Sequence, residues 1–541
     1  MVTVKQVCRL VLYFFLVFGL TSGGNQFALA QEEEEEPPRR QASIVETINQ
    51  YEWWLIRWTD NITVCQVFVD HQGPPTAAEV FNECGENVYE QWTSTPPCSR
   101  AEQGRSTFSC SGLYLHEMGF RTGDRTVVVD LPPHSVTLTL SDCTLVPPEN
   151  RCPDPPSLLL TGVEPLPDEK ITTIYAIIEG DTYTCEAEVC EIPLQSTPFE
   201  GTPVEFWAES SFGDTSEHFT ALVRVLETGV PTTPAGGGWY VDVISTQWQG
   251  GPVETCAEIW GAFPPIGGPP LWLSSPSEVV ILASDEPFQY LAGRLIANGV
   301  VDAADCPGNG LLSNGYADAC GLSKARPVVD SWQNQFDPTI LSVADEIGLP
   351  AQLLKNLFAQ ESQFWPGIFR VQREYGLGQI TDMGADTILL WNEPFFKEFC
   401  PLVLESSACA QGYLHLDEGE RAILRGALAV QTNADCSECP TGVDMPYADA
   451  TVRYYAEGLV ANCGQVGQTI FNATQSRPGM ISTYEDLWRF TLANYNAGPG
   501  CLAFAIFSSW SLRETMNWEN VSSHLTPPCQ GVISYVDLIT K

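Results

Sequence analysis

Leu354, Leu357, Phe358 and Glu361 fall at i, i+3, i+4 and i+7, so a helix through them carries a carboxyl group on its apolar stripe. Desolvation favours the neutral form of a carboxyl. A proton retained near neutral pH is what a general acid needs to protonate a glycosidic oxygen as its bond breaks. Glu361 is therefore the candidate catalytic residue, weighed against a solvated carboxylate at a fraying helix end. Downstream, Gly376-Leu377-Gly378-Gln379 offers a backbone that a ligand can approach closely and an amide able to bond a sugar hydroxyl or N-acetyl group. Tyr495-Asn496-Ala497-Gly498-Pro499-Gly500 sets a phenol and an amide at a helix end stopped by Gly and Pro. Taken singly, the first of these is a weak signal and the second is better explained as a helix stop.

Taken in order, Glu361-Ser362 with Phe364 and Pro366, then Gly376-Leu377-Gly378-Gln379, then Ala493-Asn494-Tyr495-Asn496-Ala497-Gly498-Pro499-Gly500, and finally Tyr535-Val536, closely resemble the soluble lytic transglycosylase domain. The resemblance covers roughly the last 210 residues, from Trp332 onward. It implies a lysozyme-like, mainly helical fold that cleaves the β-1,4 bond between N-acetylmuramic acid and N-acetylglucosamine in peptidoglycan, leaving a 1,6-anhydromuramoyl end. By the same resemblance, Glu361 is the single acid/base and Ser362 bonds near the scissile sugar. Gly376, Leu377 and Gln379 form a substrate-binding turn, Gln379 and Asn496 hold N-acetyl and hydroxyl groups, and Tyr495 and Tyr535 flank the carboxyl. The chain departs from the pattern in having Gly378 where the family usually has Met, which removes an apolar wall contact. The stretch from Gln379 to Tyr495 is also longer than usual and holds Cys400, Cys409, Cys436, Cys439 and Cys463, which suggests a disulfide-bound insertion beside the cleft.

Two other readings compete. A hydrolase similar to goose-type lysozyme needs a second carboxylate to activate water, and Glu374 and Asp382 are the candidates. A non-catalytic glycan-binding protein of the cell envelope has no use for a buried acid. No motif calls for a metal or an organic cofactor. Cys436-x-x-Cys439 lacks the partners of a four-ligand zinc site, and the Asp/Asn/Gly-rich stretch from Asp302 to Gly321 lacks calcium-loop spacing and reads as a solvated linker.

These residues need elements to hold them. Asp337 as N-cap with Pro338 behind it predicts a helix ending at Gly348, and Pro350 opens the next, which carries Glu361. Further helical periodicity covers 418–430, 447–461 and 484–495. From Ile44 to Val300 the texture is instead β-like: Val136, Leu138 and Leu140, then Val204, Phe206 and Ala208, then Phe219, Ala221, Val223 and Val225 recur at every second position. Trp53, Trp54 and Trp58 read as core more readily than as a sugar platform. The expected fold class is therefore a multidomain chain with N-terminal all-β, sandwich-like modules and a mainly α C-terminal domain. Its parts are a signal peptide over 1–30, an acidic tether over 31–43, β-rich modules over 44–150 and 151–300, a linker over 301–330 and the catalytic domain over 331–541.

Composition fits an exported protein, extracellular or in the cell envelope. Lys5 and Arg9 precede an apolar run from Leu10 to Phe18, and Ala28-Leu29-Ala30 supplies a cleavage site; no later segment is a plausible membrane span. A net charge of −41 repels nucleic acid and anionic lipid. The partner that the resemblance implies is the peptidoglycan glycan strand. Oligomeric state is not written in the sequence. Of 19 cysteines, 18 remain after the leader, enough for nine disulfides. With 11 between Cys65 and Cys320 and seven from Cys400 on, at least one bond has to cross, and Cys320 is the first candidate.

Overall fold

The computed structural model describes residues 40–96, 98, 110–141, 143, 145, 150–228, 238–250, 254–368 and 374–541. The apolar run from Leu10 to Phe18 and the glutamate run, with the expected signal peptide and most of the expected tether, lie outside the described residues. Up to Ile244 the described chain is built mainly on β-strands, and from Thr255 onward it is mostly helical.

The strands β1 (Gln41–Arg57), β2 (Thr63–Val69) and β3 (Leu113–Asp130) form an antiparallel sheet in the order β2-β1-β3. β2 covers β1 only from Tyr51 to Ile56, so Gln41–Gln50 runs on with Arg121–Asp130 as a two-stranded ribbon. Beyond the ribbon, Trp53, Leu55, Val67, Val69 and Leu113 close a small core with Val80 of helix α1 (Ala77–Cys84). Trp53 is thus core, while Trp54 and Trp58 stay half-buried, Trp58 against Tyr114 at 4.0 Å. The tether ends earlier than expected. Arg40 is half-buried with its side chain largely covered, its guanidinium paired with Glu164 at 2.5 Å and Asp214 at 2.6 Å, and the first strand begins at Gln41. Burial opposes ionisation of Glu164, but its bonds from Arg40 and Ser210 outweigh this and hold its pKa at about 2.

A β-sandwich follows, made of β4 (Ser135–Ser141), β5 (Arg151–Cys152), β6 (Ser157–Val163), β7 (Ile171–Ile178), β8 (Asp181–Cys185), β9 (Val189–Pro193), β10 (Thr202–Ser210), β11 (Phe219–Glu227) and β12 (Trp239–Ile244). One sheet runs β4-β6-β9 and the other β5-β12-β11-β10-β7-β8. The alternating residues meet between them: Val136, Leu138, Val204, Phe206, Ala208, Val223 and Val225 are all buried in one core. The proline-rich stretch near 147–156 is no module boundary, because β4 on one side and β6 on the other are hydrogen-bonded neighbours and Cys143–Cys152 closes the loop between them.

The expected change of period near residue 330 comes too late. Helices α2 (Thr255–Trp260) and α3 (Gln289–Ala297) already belong to the helical core, with Trp260, Leu291 and Leu295 buried beside residues of the last third. Leu291 and Leu295 do stand at helical spacing, but the Pro- and Gly-rich run from Gly261 to Pro276 between the two helices masks it. Nor is 301–330 a linker: Val301, Ala303, Cys306 and Ala317 are buried in the same core, Cys306–Cys320 is a disulfide, and α4 (Ala319–Asn334) starts on the Asp318 cap. Next come α5 (Asp337–Ile347) and α6 (Ala351–Ser362). Asp337 is not the cap but the first helical residue, turned inward to Lys355 at 2.7 Å. Beyond these, α7 (Asp382–Trp391), α8 (Glu418–Thr432), α9 (Val452–Thr474), α10 (Tyr484–Ala497), α11 (Pro499–Ser511) and α12 (Gly531–Ile539) complete the body.

All 18 cysteines from Cys65 to Cys529 are paired, in nine disulfides. The long-range bond is Cys256–Cys463 rather than one from Cys320, which takes Cys306. Counting from the observed change at about residue 250 leaves eight cysteines before it and ten after, so each part closes on itself and no bond needs to join them. Among the described residues no helix is long and apolar enough to cross a membrane.

Candidate functional site

Helix α6 buries Leu354, Leu357 and Phe358 completely and leaves Glu361 half-buried in its last turn. That turn does not fray. Gln363 and Phe364 take left-handed backbone torsions, φ 49° and 62°, which a fully buried Phe adopts only under constraint. Trp332 supplies part of that constraint through an indole N–H bond of 2.9 Å to the Phe364 carbonyl. Tyr535 of α12 reaches across to donate to Glu361 Oε1 at 2.5 Å.

The Gly376–Gln379 turn packs under this helix end. Gly376 has φ 71°, and a Cβ there would meet the Tyr455 hydroxyl at 1.8 Å, so torsion and space both require glycine. Tyr455, fully buried on α9, donates its hydroxyl toward the carbonyls of Tyr375 and Thr432 at 3.3 and 3.2 Å. Gly378 is tight for a different reason. A Cβ would stand 2.5 Å from the Tyr455 ring and 2.9 Å from the Tyr495 hydroxyl, so Tyr455 fills the space beside it. The wall contact expected to be missing is supplied by another residue.

Glu361, Gln379, Tyr495, Asn496 and Tyr535 line one cleft of about 440 Å³, together with Glu374, Thr381, Asn462 and Asn494. Tyr495 donates to the Gly378 carbonyl at 2.5 Å, and Asn496 is exposed where α10 ends before Gly498. Burial first, and then the nearby Glu361 charge, push both Tyr495 and Tyr535 well above the usual phenol range, so each stays a neutral O–H donor. Among the described residues, Glu361 and Glu374 are the only charged ones that line the cleft. Such a lining suits a neutral polar ligand better than an anion.

Three expected binding residues do not reach the cleft. Ser362 is fully buried and donates to the Leu377 carbonyl at 2.7 Å, Leu377 is fully buried itself, and the Gly376 carbonyl accepts from Gln379 Nε2 at 2.5 Å. They tie the helix end to the turn and leave Gln379 to line the cleft. Of the two carboxylates weighed for activating water, Glu374 lines the cleft and Asp382 does not.

No family model, curated protein or solved structure matches this chain.

Asn462 and Asn494 are the cleft residues that sequence reading passes over. Asn494 stands beside Tyr495, and on α9 the sequence shows Asn462 and Gln465 at i and i+3, two amides on a mostly buried helix. Buried amides at helical spacing are the signal. α9 also shows that the long stretch before Tyr495 is more than an insertion at the side, since it floors the cleft.

Proposed function

We propose that the helical body is a lysozyme-like domain of an exported peptidoglycan lytic transglycosylase. The observation that carries the reading is the carboxyl of Glu361, bonded to the buried phenol of Tyr535 inside a cleft lined by Gln379, Tyr495 and Asn496. Glu361 protonates the glycosidic oxygen between N-acetylmuramic acid and N-acetylglucosamine as the C1–O bond breaks. The resulting carboxylate then takes the proton of the muramoyl 6-hydroxyl, whose oxygen closes on C1 to give the 1,6-anhydro end. Tyr535 holds the carboxyl in place throughout and, as a neutral donor, supports its charged form after the first transfer. Nine disulfides accord with an oxidising compartment outside the cytoplasm.

Glu361→Gln keeps shape and hydrogen bonding but cannot donate and recover a proton. It is expected to lower release of soluble fragments from purified peptidoglycan by roughly 10² to 10⁴-fold with the fold intact. Mass spectrometry of the wild-type products should show anhydromuramoyl ends. The presence of Glu374 in the cleft favours one alternative, hydrolysis through an activated water. Reducing muramic acid as the main product, together with loss of activity in Glu374→Gln, decides for that alternative. Binding of peptidoglycan with no products of either kind overturns both.

A further inference from the structure

Asn494 is 2 % exposed, and its amide is turned in a fixed sense. Both hydrogens of Nδ2 are engaged, one by Asn462 Oδ1 at 2.8 Å and the other by Gln465 Oε1 at 2.7 Å. The orientation of this chain is anchored, because Asn462 Nδ2 donates to the backbone carbonyl of Gly458 at 2.8 Å, and a carbonyl only accepts. Asn462 therefore presents its oxygen to Asn494, and Asn494 is left with Oδ1 as its one uncommitted atom. That oxygen is buried and has no hydrogen-bond partner among the described residues. The same holds for Gln379 Oε1 across the cleft, since Gln379 Nε2 is committed to the Gly376 carbonyl. Both residues line the one cleft.

A buried acceptor left unmatched is costly, and it is matched best by a group that can only donate. A hydroxyl both donates and accepts, whereas a secondary amide N–H is an obligate donor. Resting on the reading of this cleft as a glycan site, we propose that Asn494 is a specificity-determining residue that accepts the amide N–H of a 2-acetamido sugar, with Asn462 and Gln465 as the positioning residues that keep its oxygen forward. The ladder selects sugars carrying a 2-acetamido group over those carrying a 2-hydroxyl at the same ring position.

The test uses the full chain with Glu361→Gln, to prevent turnover, and compares by calorimetry tetra-N-acetylchitotetraose with cellotetraose, which differs at C2. Glu361→Gln alone is expected to prefer the acetylated ligand. Adding Asn494→Ser removes the oriented oxygen and is expected to lower affinity for the acetylated ligand by roughly 10- to 100-fold while leaving cellotetraose unchanged. Adding Gln465→Met instead frees one Asn494 hydrogen and lets the amide turn, so the preference falls again without any change to Asn494 itself. Loss of packing alone weakens both ligands together and leaves their ratio constant. A constant ratio in both variants overturns the proposal, and so does failure of Glu361→Gln to bind the acetylated ligand. Wild-type products bearing anhydro ends alongside a constant ratio overturn the role of Asn494 only and leave the proposed reaction standing.

Discussion

Gly378 is held as glycine by a neighbour rather than by its own torsion. Because Tyr455 and Tyr495 occupy the room a side chain would need, the Met expected at this position overpacks the floor of the cleft. Gly378→Met is expected to destabilise the chain by about 1 to 3 kcal/mol and to abolish activity, and denaturant unfolding with a lysis assay checks both. Unchanged stability would mean that the Tyr455 ring yields. Glu361, Gln379, Tyr495, Asn496 and Tyr535, which stand out in the sequence by their motifs, line one cleft. Ser362, Gly376 and Leu377 belong to the same motifs but serve the turn, and residue type alone does not separate the two duties. Asn462 and Asn494 are harder to read, since a polar residue on a buried stripe resembles a fault in the pattern until its partners are known.

Helix α6 owes its position to charge as well as to its apolar stripe. Lys355, on the same helix as Glu361, is buried against Asp337 at the start of α5 and also donates to the Leu282 carbonyl at 2.6 Å. Burial lowers the Lys355 pKa and raises that of Asp337, while the pairing opposes both shifts. Removing one partner strands a buried charge, so Lys355→Met is expected to cost about 3 to 5 kcal/mol. Adding Asp337→Leu should restore most of that, as a double-mutant cycle on denaturant midpoints would show; absence of recovery would assign the loss to packing. At this scale the strands of the sandwich are plainly written, because Val204, Phe206 and Ala208 alternate strictly and all face inward. The helices between 255 and 297 are not, because they are short and separated by loops rich in Pro and Gly that imitate the punctuation of β-structure.

At the scale of the whole molecule, the observed boundary changes which fragment stands alone. Residues 250–541 keep α2, α3 and Cys256 and are expected to fold under oxidising conditions with the activity of the full chain. Residues 327–541 lose Trp260, Leu291 and Leu295 from the core and leave Cys463 without its partner, so they are expected to aggregate. Circular dichroism of the two fragments decides the matter. Glu254, just before α2, adds a pH term. Burial raises its pKa to about 7, against the opposing bond from Tyr484. From about pH 4.5 to 7 the folded chain keeps a proton that the unfolded chain has released, so stability falls as pH rises through that window and is level above it. Urea midpoints should therefore be higher at pH 5 than at pH 8, and Glu254→Gln should shrink the difference. Glu258 and Glu457, also raised by burial, contribute in the same direction.

The disulfides carry one more consequence, which concerns time. Eight of the nine join cysteines 28 residues apart or fewer, and Cys256–Cys463 alone spans 207. A chain that emerges amino end first, at roughly 5 to 20 residues per second, keeps Cys256 waiting about 10 to 40 s. The six cysteines that appear meanwhile, Cys306 with Cys320, Cys400 with Cys409 and Cys436 with Cys439, form three complete pairs. If pairing keeps pace with emergence, every earlier thiol but one is claimed when Cys463 arrives, while Cys501 and Cys529 have yet to appear. Order of synthesis thereby does what geometry alone would have to do in a chain released all at once, and refolding the reduced, full-length protein is where mispairing of Cys256 would first be seen.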